Sequence, residues 1–101
     1  MAEALLAHPS AVEHNGIVYV VGIRGGEYLI RRLNLADETW LEYRDGSEEK
    51  RVAPASCDQR AALVKLVGQG SPLLVGIPQW PHVVFYCSYD DGETWTEESA
   101  I

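Results

Sequence analysis

Ser88-Tyr89-Asp90-Asp91-Gly92-Glu93-Thr94-Trp95 reads as the turn of a β-hairpin. His82 to Ser88 before it is a run of β-formers, and Thr94-Trp95-Thr96 resumes the extended pattern behind it. An Asp side chain accepts hydrogen bonds from backbone N–H groups a few residues on, which folds a chain back on itself. Asp90 is placed to do this to the amides around Gly92 and Thr94. Gly92 supplies a position where positive φ is free of steric cost. Ser88 and Thr94 add hydroxyls across the turn, and Trp95 can lay its ring over the hairpin base. Each of these five residues, Ser88, Asp90, Gly92, Thr94 and Trp95, thus has a structural role in the turn.

Working outward, the same landmarks occur twice. Val21-Gly22-Ile23 precedes Glu38-Thr39-Trp40, and Val75-Gly76-Ile77 precedes Glu93-Thr94-Trp95, with a spacing one residue longer in the second copy. Asn15-Gly16 stands before the first Val-Gly-Ile as Gln69-Gly70 stands before the second. Self-similarity of this kind, with a period of about 55, indicates duplication. Each copy parses into four short strands. In the first, Ala11–His14 turns at Asn15-Gly16 into Ile17–Val21, whose unbroken apolar run predicts burial on both faces. Gly25-Gly26 turns the chain into Glu27–Asn34, and Thr39–Tyr43 follows. In the second copy the strands fall at Arg60–Val67, Pro72–Ile77, His82–Ser88 and Thr94–Glu98. The expected organisation is one domain with repeat units at 10–43 and 60–99 and a linker at 44–59. Ala2–Ala7 carries a short helical turn in this reading.

The Ser88–Trp95 stretch resembles the Asp-box, S/T-x-D-x-G-x-T-W, of β-propeller proteins of the sialidase type, and Ile17–Tyr43 resembles a kelch-type or degenerate Asp-box blade. The resemblance implies an all-β fold of two four-stranded antiparallel meanders, each like one propeller blade, with the box as a staple on the outer rim. A compact β-sandwich is the alternative. The first copy departs from the box: aligned on Thr39-Trp40, Leu33 falls at the Ser position, Leu35 at the Asp position and Asp37 at the Gly position. Only the Thr-Trp anchor carries over.

The resemblance makes glycoside hydrolysis an obvious hypothesis, and its parts are sought in vain. Sialidase-like enzymes use an arginine cluster, a Tyr nucleophile paired with Glu, and an acid/base carboxyl. Gly76-Ile77-Pro78 lacks the arginine of an Arg-Ile-Pro motif, and adjacent Arg31 and Arg32 point to opposite faces of a strand. The same holds for Glu27-Tyr28. His8, His14 and His82 have no ligand spacing, and Cys57 and Cys87 have no C-x-x-C partner, so free thiols are expected. No catalytic residue, metal or cofactor is assigned. Gln79 and Trp80, beside Pro81 in a hairpin loop, are the candidate binding residues: a Trp in such a loop either stacks on a sugar or partner or covers the blade end.

Composition narrows the partners. Eight basic residues against fifteen acidic ones give a net charge of −7, which argues against nucleic acid or an anionic membrane. The apolar fraction of 47% is ordinary for a globular chain, no apolar run approaches a membrane span, and no signal peptide is evident. Two blades do not close a ring, which needs at least about four. Their uncovered faces predict a homo-oligomeric ring, docking on a larger body such as a virion, or a self-contained sandwich. The expectation is a non-enzymatic structural or binding module, glycan binding being its more specific form. Part of a sialidase-like hydrolase is the alternative.

Overall fold

The structure, a computed structural model, describes residues 6–55, 59–65, 73–79 and 81–100. Its elements are all strands: β1 (Ala7–His14), β2 (Ile17–Arg24), β3 (Glu27–Asn34), β4 (Thr39–Trp40), β5 (Glu49–Pro54), β6 (Ala62–Lys65), β7 (Leu73–Gln79), β8 (His82–Ser88) and β9 (Thr96–Ala100). They form two antiparallel meanders. The first runs β1-β2-β3-β4, the second β6-β7-β8-β9. The protein is all-β, as the hairpin signals predict, and no described helix is long and apolar enough to cross a membrane.

Local chemistry sets the hairpins. Asn15-Gly16 and Gly25-Gly26 take positive φ at both central positions, the two-residue loop whose twist matches the flanking strands. Their closing pairs are His14 with Ile17 and Arg24 with Glu27. Two differences from the sequence reading stand out. The stretch expected as a linker contributes β5, which pairs with β3 from Glu27–Pro54 to Arg31–Glu49 and makes the first sheet five-stranded. Its charged residues suit an edge strand, where alternation with solvent conceals the strand signal. The N-terminal turn is not helical where it is described: Ala7 opens β1, while residues 2–5 lie outside the described residues.

One core lies between the sheets. β2 contributes Tyr19, Val21 and Ile23, β3 Tyr28 and Ile30, β5 Val52 and Ala53, and β7 Leu73, Val75 and Ile77. Full burial of a Val, Leu or Ile side chain contributes about 1.5–3 kcal/mol. β2 is not covered on both sides, however. Tyr19 and Val21 are buried, whereas Val18 and Val20 on the opposite side are only half-buried.

The orientation of the sheets follows from their hydrogen bonds. Leu41 N–H donates to the Arg32 carbonyl (2.8 Å) and Leu35 N–H to the Gly16 carbonyl (3.1 Å). Arg32 therefore turns its backbone polar groups away from β2, and alternation makes its partner Tyr19, and Val21 beyond it, bond to β1. In β7, Pro78 faces Val83 and has no N–H, so that pair is not hydrogen-bonded. Alternation then makes Ile77 and Val75 bond to β8. For L-residues, a side chain pointing at the viewer sends its N–H and C=O to one fixed hand of the strand. Core-facing residues use the preceding strand in the first meander and the following strand in the second. The meanders thus turn opposite faces to their shared core, with β1 lying against β6.

Candidate functional site

The Ser88–Trp95 turn is held by a dense set of short-range bonds. Asp90 Oδ1 accepts from Thr94 N–H (3.0 Å) and from the Ser88 hydroxyl (2.8 Å), and Oδ2 accepts from the Thr94 hydroxyl (2.6 Å). Ser88 Oγ in turn accepts from Gly92 N–H (2.9 Å), and Trp95 Nε1 donates to the Gly92 carbonyl (3.1 Å). Asp91 and Gly92 both have positive φ, and Glu93 N–H closes the turn on the Asp90 carbonyl (3.2 Å). The carboxylate therefore staples Thr94, while the Gly92 amide is taken by Ser88 rather than by Asp90.

Burial opposes ionisation of Asp90, but the hydrogen bonds from Thr94 and Ser88 outweigh it and hold the carboxyl below its usual range. A carboxylate with a depressed native pKa stabilises the fold above its unfolded value, about 3.9 for Asp. That contribution is lost as pH falls through the native value. Asp90→Ala is accordingly expected to cost about 1–3 kcal/mol at neutral pH. In Asp90→Asn the acid-dependent loss, read from urea midpoints between about pH 5 and pH 2, shrinks. An acid limb identical to that of the wild type in Asp90→Asn would remove the staple.

The turn is also welded to the other meander, through a residue with no part in the hairpin. Arg32 of β3 is 8% exposed. Its guanidinium donates to the Asp91 carbonyl (3.2 Å) and the Glu42 carbonyl (2.7 Å), and pairs with Glu93 Oε2 (3.4 Å). It stacks over the Tyr43 ring at 4.0 Å. Glu93 Oε1 accepts from Arg44 N–H (3.2 Å), and the Tyr43 hydroxyl donates to the Ile30 carbonyl (3.2 Å). Burial raises the pKa of both neighbouring phenols. Tyr19 is pushed up to about 12 by desolvation and by the Asp91 charge, and Tyr43 is raised further by desolvation despite the Arg32 charge. A Cβ on Gly92 would lie 3.5 Å from the Tyr43 hydroxyl and 3.7 Å from the Tyr19 ring, so the turn backbone packs directly on these aromatics.

Arg31 lies on the other side of β3, as strand alternation requires. It stacks on Trp40 at 4.1 Å, pairs with Glu48 at 2.9 Å, and leaves Nε and Nη1 buried without hydrogen-bond partners. The two arginines are therefore not brought to one pocket. Arg32, opposite Tyr19, turns its backbone polar groups away from β2, whereas Ser88, opposite Leu73, belongs to a pair that bonds β7 to β8, so the two are not equivalent positions of their meanders. The alignment on Thr39-Trp40 places Leu33 at the position of Ser88. The first meander's turn is closed differently, by Asp37 accepting from Thr39 N–H (3.3 Å) and its hydroxyl (2.7 Å) and by Asn34 accepting from Ala36 N–H (3.0 Å).

Gln79, half-buried, ends β7 opposite His82, whereas Trp80 and Cys57 lie outside the described residues. Cys87 is a buried free thiol. Among the described residues no three His, Cys, Asp or Glu side chains converge as a metal site. The brace formed by Arg32 escaped the sequence reading, although one signal was present: an arginine at the alternate position after Tyr28 and Ile30 falls on the core face. No protein-family model, curated protein or solved structure matches the chain.

Proposed function

We propose that this chain is a non-enzymatic structural or binding module that works by assembling with further copies of itself, its two units being blade-like and the Ser88–Trp95 turn an Asp-box staple. The observation that carries the reading is the character of the two outer faces. On the first sheet, the apolar outward positions Val18, Val20, Leu33 and Trp40 are half-buried or exposed, and they share the face with Glu13, Arg24, Glu27 and Arg51. On the second, the outward positions are Leu74, Pro78, Val83 and Phe85, with Tyr89 beyond. A solvated sheet face alternates to polar residues at such positions, and large apolar patches on a soluble protein mark contacts. Trp40 at 39% exposure and Tyr89 at 67% are aromatic anchors of the kind that dominate contact energies.

The turn supports the same reading. Both carboxylate oxygens of Asp90 hold the hairpin, and both terminal nitrogens of Arg32 brace it, so neither set is free to act on a substrate. The narrower form of the proposal, in which Gln79 and Trp80 present a stacking surface to a sugar, is tested by glycan-array binding. Sedimentation over a hundredfold range of concentration tests the central claim, a mass that is a multiple of the chain being the expected result. A monomer throughout would end the assembly reading, and turnover of a fluorogenic sialoside would end the non-enzymatic one.

A further inference from the structure

We propose that the Asn15-Gly16 turn is a self-modification site, where the Asn15 side-chain amide is lost as ammonia by cyclisation onto the Gly16 nitrogen, with Glu13 taking the proton and His14 supplying one. Nothing in this chemistry depends on assembly. The hairpin closes on the His14–Ile17 pair, so both loop residues lie outside the β1–β2 ladder. The Gly16 N–H donates instead to Glu13 Oε2 at 2.7 Å. Asn15 Nδ2 lies 3.3 Å from His14 Nε2. A carboxylate thus rests on the nitrogen that attacks, and an imidazole on the nitrogen that leaves. Asn15 and Gly16 are both exposed. Beyond Gly16 and its chain neighbours, no described atom lies within 4 Å of where a Gly16 Cβ would stand, which leaves room for ring closure.

The Gly16 nitrogen forms a bond to Asn15 Cγ, and its proton passes to the Glu13 carboxylate. The Cγ–Nδ2 bond then breaks, and Nδ2 leaves as ammonia with a proton from the His14 imidazolium. Imidazole is the side chain suited to such exchange near neutral pH. Exchange with solvent returns both side chains to their starting states. Water next adds to one of the two carbonyls of the cyclic imide. Opening at the Cγ–N bond leaves an aspartate at position 15. Opening at the backbone C–N bond leaves an isoaspartate, with the main chain routed through the side-chain carbon. Either product makes the net charge of −7 one unit more negative. Isoaspartate also lengthens a loop whose positive φ at both residues, 55° and 80°, matches the twist of its strands. Because Leu35 N–H donates to the Gly16 carbonyl (3.1 Å), the change reaches the β3–β4 connection. Asn34, the other asparagine of the chain, is built differently: its Oδ1 accepts from Ala36 N–H (3.0 Å), and leucine follows it in place of glycine.

Storage of the full chain at neutral pH, followed by ion exchange and peptide mass mapping, reads the conversion at each asparagine. Conversion at Asn15 with Asn34 intact is expected, isoaspartate being among the products. The folded chain is expected to convert about tenfold faster than the same chain in urea, where Glu13 and His14 are no longer held at the turn. That is well short of the roughly 10²–10⁴-fold that an enzyme's positioned acid or base contributes. Glu13→Gln and His14→Phe should each slow the folded chain toward the urea rate while changing the urea rate little, with circular dichroism establishing that they fold. Asn15→Gln, which must close a larger ring, should yield no acidic product from the turn and keep its melting temperature on storage while that of the wild type falls. If a variant fails to fold, the folded and urea rates of the wild type decide by themselves. A folded wild type that converts no faster than the unfolded chain, or a folded Glu13→Gln chain as fast as the wild type, overturns the site: the hairpin would then shield Asn15 rather than activate it.

Discussion

Arg32→Ala is expected to lower stability by about 3–5 kcal/mol, the usual cost of removing one partner from a buried charge pair. The side chain lies between the two meanders, so its loss uncouples them at one end of the core. Glu93, with a side chain 11% exposed, is left without its cation, and the Asp91 and Glu42 carbonyls lose their donor. Lysine is a poor substitute: it keeps the charge but lacks the planar fork that reaches both carbonyls while stacking on Tyr43. Arg32→Lys should therefore recover only a minor part of the loss. Urea unfolding at neutral pH measures both. An Arg32→Ala chain within about 1 kcal/mol of the wild type would mean that the carbonyls are resolvated and the brace is dispensable.

Tyr43→Ala is expected to cost about 3–5 kcal/mol, the range for deleting a buried ring. Tyr43 is 3% exposed and sits beneath Arg32, with Lys50 Nζ 5.6 Å from the ring centre. Tyr43→Phe keeps the ring and the stack and loses only the bond to the Ile30 carbonyl, a change of about 1 kcal/mol. Because Arg32 and Tyr43 touch, the double alanine variant should lose less than the two single losses added, by about 0.5–3 kcal/mol. Strict additivity would show that the guanidinium and the ring stabilise the protein independently, contrary to the stacked geometry.

These two residues also mark where reading the sequence stops. The Ser88–Trp95 turn is legible because its donors and acceptors lie within four residues of one another, so residue type and spacing suffice. The hairpins at Asn15-Gly16 and Gly25-Gly26 are legible for the same reason. Strand β5 is not, because Glu49–Pro54 carries too many charges to look like a strand until β3 provides its partner. Arg31 and Arg32 look equivalent in the sequence; alternation separates their faces, but only the packing of the second meander makes Arg32 a brace and leaves Arg31 under Trp40.

Residue order alone determined that the chain is all-β, that it contains two successive antiparallel meanders, and that Asp90 closes the last hairpin, since each depends on local periodicity or on bonds spanning a few residues. The tertiary structure decided which sides of the meanders meet. That choice follows from whether core-facing residues bond to the strand before or after them, a parity set by single-residue differences in turn and register. It also decided that Arg32 joins partners 59 and 61 residues away. Contacts at such separation depend on how the sheets stack, and no spacing rule along the chain encodes them.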